Sequence, residues 1–287
     1  MDPAPFYEFL SRLLPFEILQ ARFMQQALVG LLLVAPMAAA MGVQVVNFRM
    51  AFFADAIGHS AFAGVALGLI FAVSPSWTMP LFGLAVGLAI MALQRRSSLS
   101  TDTVIGVVFA AVMAFGLAMV SRDRNVARDL QRFLYGDILT ISDPELLVLG
   151  VLFVAVVAFQ AWGYNRLLYV GLNPVVAGVH RVPVATCQYL FAGLLALVVM
   201  FSVWAVGVLL VTALLIVPAA AARNFARSAG AMFWWSLLIS ATSAVAGLLI
   251  SAQDWARTAT GPTIVLCGFA WFLASQAAST LRRRGTR

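Results

Sequence analysis

The chain has 287 residues, 63% of them apolar and 10% charged, with a mean hydropathy of +0.98. Soluble domains hold about 45–50% apolar and about 25% charged residues, so a soluble globular domain is excluded. The net charge of +7 rests on 18 basic residues, all arginine, set in short stretches between apolar runs. That spacing follows the positive-inside pattern of membrane proteins and does not build a nucleic-acid surface.

In chain order, residues 1–22 read as an N-terminal interfacial segment with a short apolar stripe of Phe6, Phe9, Leu10, Leu13 and Leu14. Pro3, Pro5, Glu8, Arg12 and Glu17 interrupt it, so it lacks the continuous core of a signal peptide, although Ala38–Ala40 imitate a small-residue cleavage site. Charge-free runs then extend over 23–48, 60–94, 103–121, 146–165, 182–222, 228–253 and 258–281. A crossing helix needs about 20 apolar residues, and the longest runs hold two crossings each. The predicted spans are 25–46, 50–72, 77–93, 103–121, 146–164, 185–203, 206–221, 230–250 and 263–281. The chain is thus an all-α polytopic membrane protein of eight to nine helices. The count depends on the pair around Trp204, of which one member could double back. Residues 23–281 read as one transmembrane domain and 282–287 as a basic cytoplasmic tail.

Alternating crossings place eleven arginines on one face: Arg49, Arg95, Arg96, Arg166, Arg181, Arg223, Arg227, Arg282, Arg283, Arg284 and Arg287. We take this face as cytoplasmic. Arg122, Arg124, Arg128, Arg132 and Arg257 fall on the other, so the 122–132 loop departs from the rule.

The second predicted span carries Asp55 and His59, four residues apart and hence on one helix face. An Asp within a membrane helix costs about 2.5–3.5 kcal/mol and is tolerated where it pairs, binds an ion or lines a wet path. Carboxylate plus imidazole suits zinc and, less selectively, manganese or iron. Two such helices facing each other in a symmetric pair would supply four ligands. The same residues are equally consistent with a hydrogen-bonded Asp–His pair that ties helices together. Ala54 with Gly58, and Gly64 with Gly68, form small-residue pairs that favour close helix packing.

Between two later spans, Asn173 can cap a short helix with Pro174 at its first position, with Gly178 and Pro183 expected to end it. Such a helix could dock a soluble partner or be an ordinary connection. His180 is the chain's only other histidine. Pro218 predicts a kink or an end in the run from Val211 to Ala222. Cys187 and Cys267 both fall in apolar runs, which argues against a disulfide framework. The sequence carries no G-x-x-x-x-G-K-[ST] loop, H-E-x-x-H or G-x-S-x-G motif, and an enzyme is not expected.

Taken together, these residues resemble the metal-type ABC permeases, the membrane subunits of zinc and manganese importers. The segments that carry the resemblance are Asp55–Gly64, Thr101–Gly106, Phe133–Leu139, Asn173–Val182, Val206–Ala220 and Gly261–Leu266, in order over nearly the whole chain. The match departs at Ala54 and Ala63, where the family usually has Gly and often Pro. The resemblance implies a type II ABC-importer-like permease domain working as a homodimer in a bacterial cytoplasmic (inner) membrane. Two cytoplasmic P-loop ATPase subunits and an extracytoplasmic metal-binding protein would complete it, and no cofactor would be bound by the chain itself. Carried over by position, Asp55 and His59 would hold the transported ion, Zn²⁺ favoured and Mn²⁺ next. Asn173, Pro174, Ala177, Gly178, Val179 and His180 would form the helix coupled to the ATPase. Other functions to weigh are a permease for metal chelates such as siderophores and a membrane assembly subunit without transport.

Overall fold

A computed structural model describes residues 20–121 and 138–285, and these are almost wholly helical. The helices are α1 (Arg22–Asn47), α2 (Phe53–Ile70), α3 (Pro75–Arg96), α4 (Thr101–Val120), α5 (Asp143–Leu172), α6 (Pro174–Val179), α7 (Val184–Val206), α8 (Val208–Phe225), α9 (Ala229–Ser251) and α10 (Thr260–Gly285). All but the short α6 are long and apolar enough to cross a bilayer, which makes nine among the described residues. Residues 1–19 of the expected interfacial segment and residues 122–137, with their part of the family motif, lie outside those residues.

Local signals fix several boundaries. Ser100 caps α4 by accepting the Thr103 N–H at 3.3 Å, and Ser228 caps α9 by accepting that of Ala231 at 3.2 Å. Glu145 reaches back to the Ser142 N–H at 2.7 Å at the start of α5. The two helices around Trp204 are both of crossing length, 23 and 18 residues. They meet at a single residue, Gly207, whose φ of 87° and ψ of 158° suit only glycine. Pro218 does not end α8, which continues to Phe225. At the C-terminus, α10 carries on through Arg284, so the basic stretch extends a helix there.

Helix α1 runs through the middle of the bundle, packed against α5, α8 and α9, while α2 packs against α3, α4 and α7. Close approach depends on small residues, as expected without a hydrophobic driving force between helices in lipid. A methyl on Gly42 would overlap the Leu215 carbonyl of α8, and one on Gly64 would lie 2.8 Å from Met79 Cα of α3. Polar links reinforce the centre: Gln160 of α5 donates to the Ala40 carbonyl at 2.8 Å, and Ser240 of α9 to that of Ala35 at 2.8 Å.

The link from α1 to α2 is recessed. The Phe48 ring meets Phe191 of α7 edge-on at 5.0 Å. A Cβ on Gly87 of α3 would contact Phe53 at 3.3 Å and Ala196 of α7 at 3.0 Å. From those contacts it is nine residues to Arg96 and twelve to Val184, about 14 and 18 Å of helix. Helix α2 therefore begins inside the bilayer, and Asp55 in its first turn lies near mid-depth of a core about 30 Å thick.

Candidate metal-ion site and inner-face helix

Asp55 and His59 sit one turn apart on α2, both half-buried and close enough for their charges to interact. The opposite side of the helix is packed: Phe53, Ala54, Ile57, Gly58 and Ser60 are buried, and Gly58 lies against Val199, Val203 and Val208. Asp55 and His59 are thus turned away from the subunit's core. The start of a helix favours a carboxylate by roughly 0.3–1 kcal/mol, which offsets part of the cost of an Asp at this depth.

Two further helices shape the site. Thr212 of α8 brings its side chain to the Asp55 carboxylate, and the Thr212 hydroxyl also contacts the Leu209 carbonyl at 3.3 Å. Phe109 of α4 meets the His59 ring edge-on at 5.6 Å, while Phe62 stacks on it at 6.0 Å with 4° between planes. The imidazole is thereby held by aromatic contacts, and its buried Nδ1 has no hydrogen-bond partner. On the same helix faces, Phe52 and Leu209 are 60% and 61% exposed, so this side of the chain carries uncovered apolar surface.

One carboxylate and one imidazole make an incomplete shell. No group of three His, Cys, Asp or Glu side chains converges among the described residues. A tetrahedral ion needs four ligands, so the geometry of one chain can grip a divalent ion but not enclose it. Thr212 and Phe109 were not singled out in the sequence. A signal for Thr212 existed, since it is the lone hydroxyl in the apolar stretch from Val206 to Ala220.

The second candidate region forms a capped helix. The Asn173 side-chain oxygen accepts the N–H groups of Val175 at 2.9 Å and Val176 at 3.3 Å, with Pro174 in first position. Gly178 lies inside α6 and does not end it. The end comes at His180 and Arg181, where Arg181 adopts φ 57° and the Val182 N–H closes on the Ala177 carbonyl at 3.0 Å. Pro183 then precedes α7. Ala177 is fully buried and anchors the helix, while Val175 and Val179 are 76% and 79% exposed. His180 is exposed and packs near Tyr169, 5.8 Å between rings.

These two regions are linked through the backbone. A Cβ on Gly171, just before α6, would touch Asn47 and Phe48 at 3.4 Å. The base of α6 therefore abuts the recessed link that leads directly into α2 and Asp55.

The family model described as "ABC 3 transport family" matches residues 20–279. The high-affinity zinc uptake system membrane protein ZnuB of Haemophilus influenzae is 34% identical over 83% of this chain and 90% of its own length. The manganese import system permease protein ScaB of Streptococcus gordonii is 30% identical over 88% and 90%. Among solved structures, PsaBC from Streptococcus pneumoniae in complex with Fab superposes with a TM-score of 0.75 at 30% identity, covering 94% of this chain and 95% of that one. An inward-facing ABC transporter chain of metal-chelate type shares the fold, with a TM-score of 0.70 at 18% identity. The matched stretch takes in the long helices described above, α10 as far as residue 279, and the chain belongs to the ABC 3 transport family of multi-pass membrane permeases.

Proposed function

We propose that this chain is the permease subunit of an ABC importer that carries divalent metal ions across the bacterial cytoplasmic membrane, Zn²⁺ in preference to Mn²⁺. The observation that carries this reading is the Asp55–His59 pair, one turn apart and half-buried beside α4 and α8, with an unpartnered imidazole nitrogen. A second copy facing it would bring two carboxylates and two imidazoles together. Such a set balances the ion's charge and completes a tetrahedral shell. Imidazole-containing sites bind zinc more tightly than manganese, and the 34% identical relative is a zinc uptake protein.

The mechanism follows from the layout. An extracytoplasmic metal-binding protein delivers the ion to the outer mouth, where it exchanges water for Asp55 and His59. Two P-loop ATPase subunits dock on the cytoplasmic face over α6, whose exposed valines offer an apolar foothold. Their closure on ATP moves α6, and with it the abutting α1–α2 link. Because that link leads into the first turn of α2, the movement separates the two halves of the shell and opens the site inward.

Uptake of radiolabelled Zn²⁺ and Mn²⁺ by cells co-expressing the permease with its partners tests the substrate. Saturation at lower Zn²⁺ than Mn²⁺ is expected, and the reverse order would make manganese the substrate.

A further inference from the structure

Beside α6 lies a chamber of about 350 Å³ lined by Asn47, Arg49, Gln94, Thr101, Pro174 and Gln188 among others. It is the most polar of the cavities described, and it gathers the inner ends of five long helices together with α6 and the α1–α2 link. Arg49 is exposed, adopts the left-handed φ of 55° and stands six residues before Asp55. The ion pairs among the described residues are Arg22–Asp143 and Arg257–Asp254, so Arg49 lacks a carboxylate. Gln94 donates to Thr101 at 2.8 Å, but its buried side-chain oxygen is unpartnered. Arg95, at the rim, is held by Gln188 at 2.6 Å.

The charge around the chamber is one-sided. Arg49, Arg95, Arg96, Arg166, Arg181, Arg223 and Arg227 lie on this face, against Asp102 as the one acidic residue assigned to it by the alternating crossings. A cationic recess of this size, continuous with α6, is complementary to an anionic side chain and not to the transported cation. Neither Asp55, His59 nor any other residue of α2 lines the chamber, so it is separate from the ion site.

Building on the proposed docking of the ATPase over α6, we propose that this chamber receives a carboxylate side chain of the ATPase subunit, paired with Arg49. The permease is then gripped at two points. One is the apolar face of α6. The other is Arg49, which stands in the recessed link and passes the movement to α2 directly. A lipid phosphate is the competing source of negative charge, and the experiment separates it.

The chain contains no lysine. Arg49→Lys therefore introduces a unique side-chain amine, which a carbodiimide joins to a carboxylate in contact with it and not to a phosphodiester headgroup. The full complex with its ATPase, in membranes, is treated with carbodiimide and digested for mass spectrometry, with Arg223→Lys as the control position. The expected result is an adduct between the introduced amine at position 49 and an Asp or Glu of the ATPase, absent from the control. Arg49→Glu should lower metal-stimulated ATP hydrolysis at least tenfold, and reversing the charge of the cross-linked acid should restore it. A complex that assembles without this adduct, or in which the introduced amine joins only Asp102, overturns the inference and leaves the docking on α6 standing. A permease that assembles with no ATPase overturns both.

Discussion

On the proposed reading transport turns on Asp55, and its neighbours decide how it is presented. Thr212 approaches the carboxylate from α8 and Phe109 fixes the His59 ring from α4. Groups that orient a ligand typically contribute tenfold to a hundredfold in metal affinity or activity. Thr212→Val keeps the volume and removes the hydroxyl, so it should lower metal uptake by about that range while membrane abundance is unchanged. Dose-dependent uptake by that variant measures it, and unaltered uptake would detach Thr212 from the site. The Asp–His spacing was legible in the sequence because a helical period converts i and i+4 into one face. Thr212 was not, because its approach depends on how α8 crosses α2, and no spacing within the chain encodes that.

At the scale of the element, two helices carry predictions. Asn173 holds the first turn of α6 with two accepted N–H groups. Asn173→Ala should cost that helix about 1 kcal/mol. Uptake and metal-stimulated ATP hydrolysis should fall together while metal binding by the permease is retained, as measured on the purified complex. In the bundle centre, Gly42 leaves room for the Leu215 carbonyl. Gly42→Ala overpacks that contact, with an expected loss of about 1–3 kcal/mol. Gly150 has open space around its Cβ position, and Gly150→Ala should be neutral or gain up to about 1 kcal/mol from helix propensity. Thermal unfolding of the two variants in one detergent compares them directly. The spans themselves were readable from charge-free runs, since the bilayer imposes a length on every crossing. The recessed start of α2 was not readable. The predicted span began at 50 but α2 begins at Phe53, so Asp55 stands in its first turn, and its depth comes from where Phe53 packs against α3 and α7.

For the whole molecule, the proposed reading gives each chain half of a metal shell. If two copies complete it, a dimer with one defective member fails. Co-expression of wild type with Asp55→Ala at equal levels should leave about a quarter of full activity, because a quarter of random dimers are wild type on both sides. Activity near one half would mean that each chain carries ions alone. The arginine-rich face, the α6 foothold and the chamber at Arg49 all lie on the side assigned to the cytoplasm. On the proposed reading the permease joins an ion site within the bundle to an inner surface suited to an ATP-driven partner. That Asp55 and His59 hold the travelling ion is tested most directly by uptake of radiolabelled Zn²⁺ in cells expressing the Asp55→Ala, His59→Ala double variant with its partners. Loss of uptake at wild-type membrane levels is the predicted result, and uptake equal to wild type would contradict it.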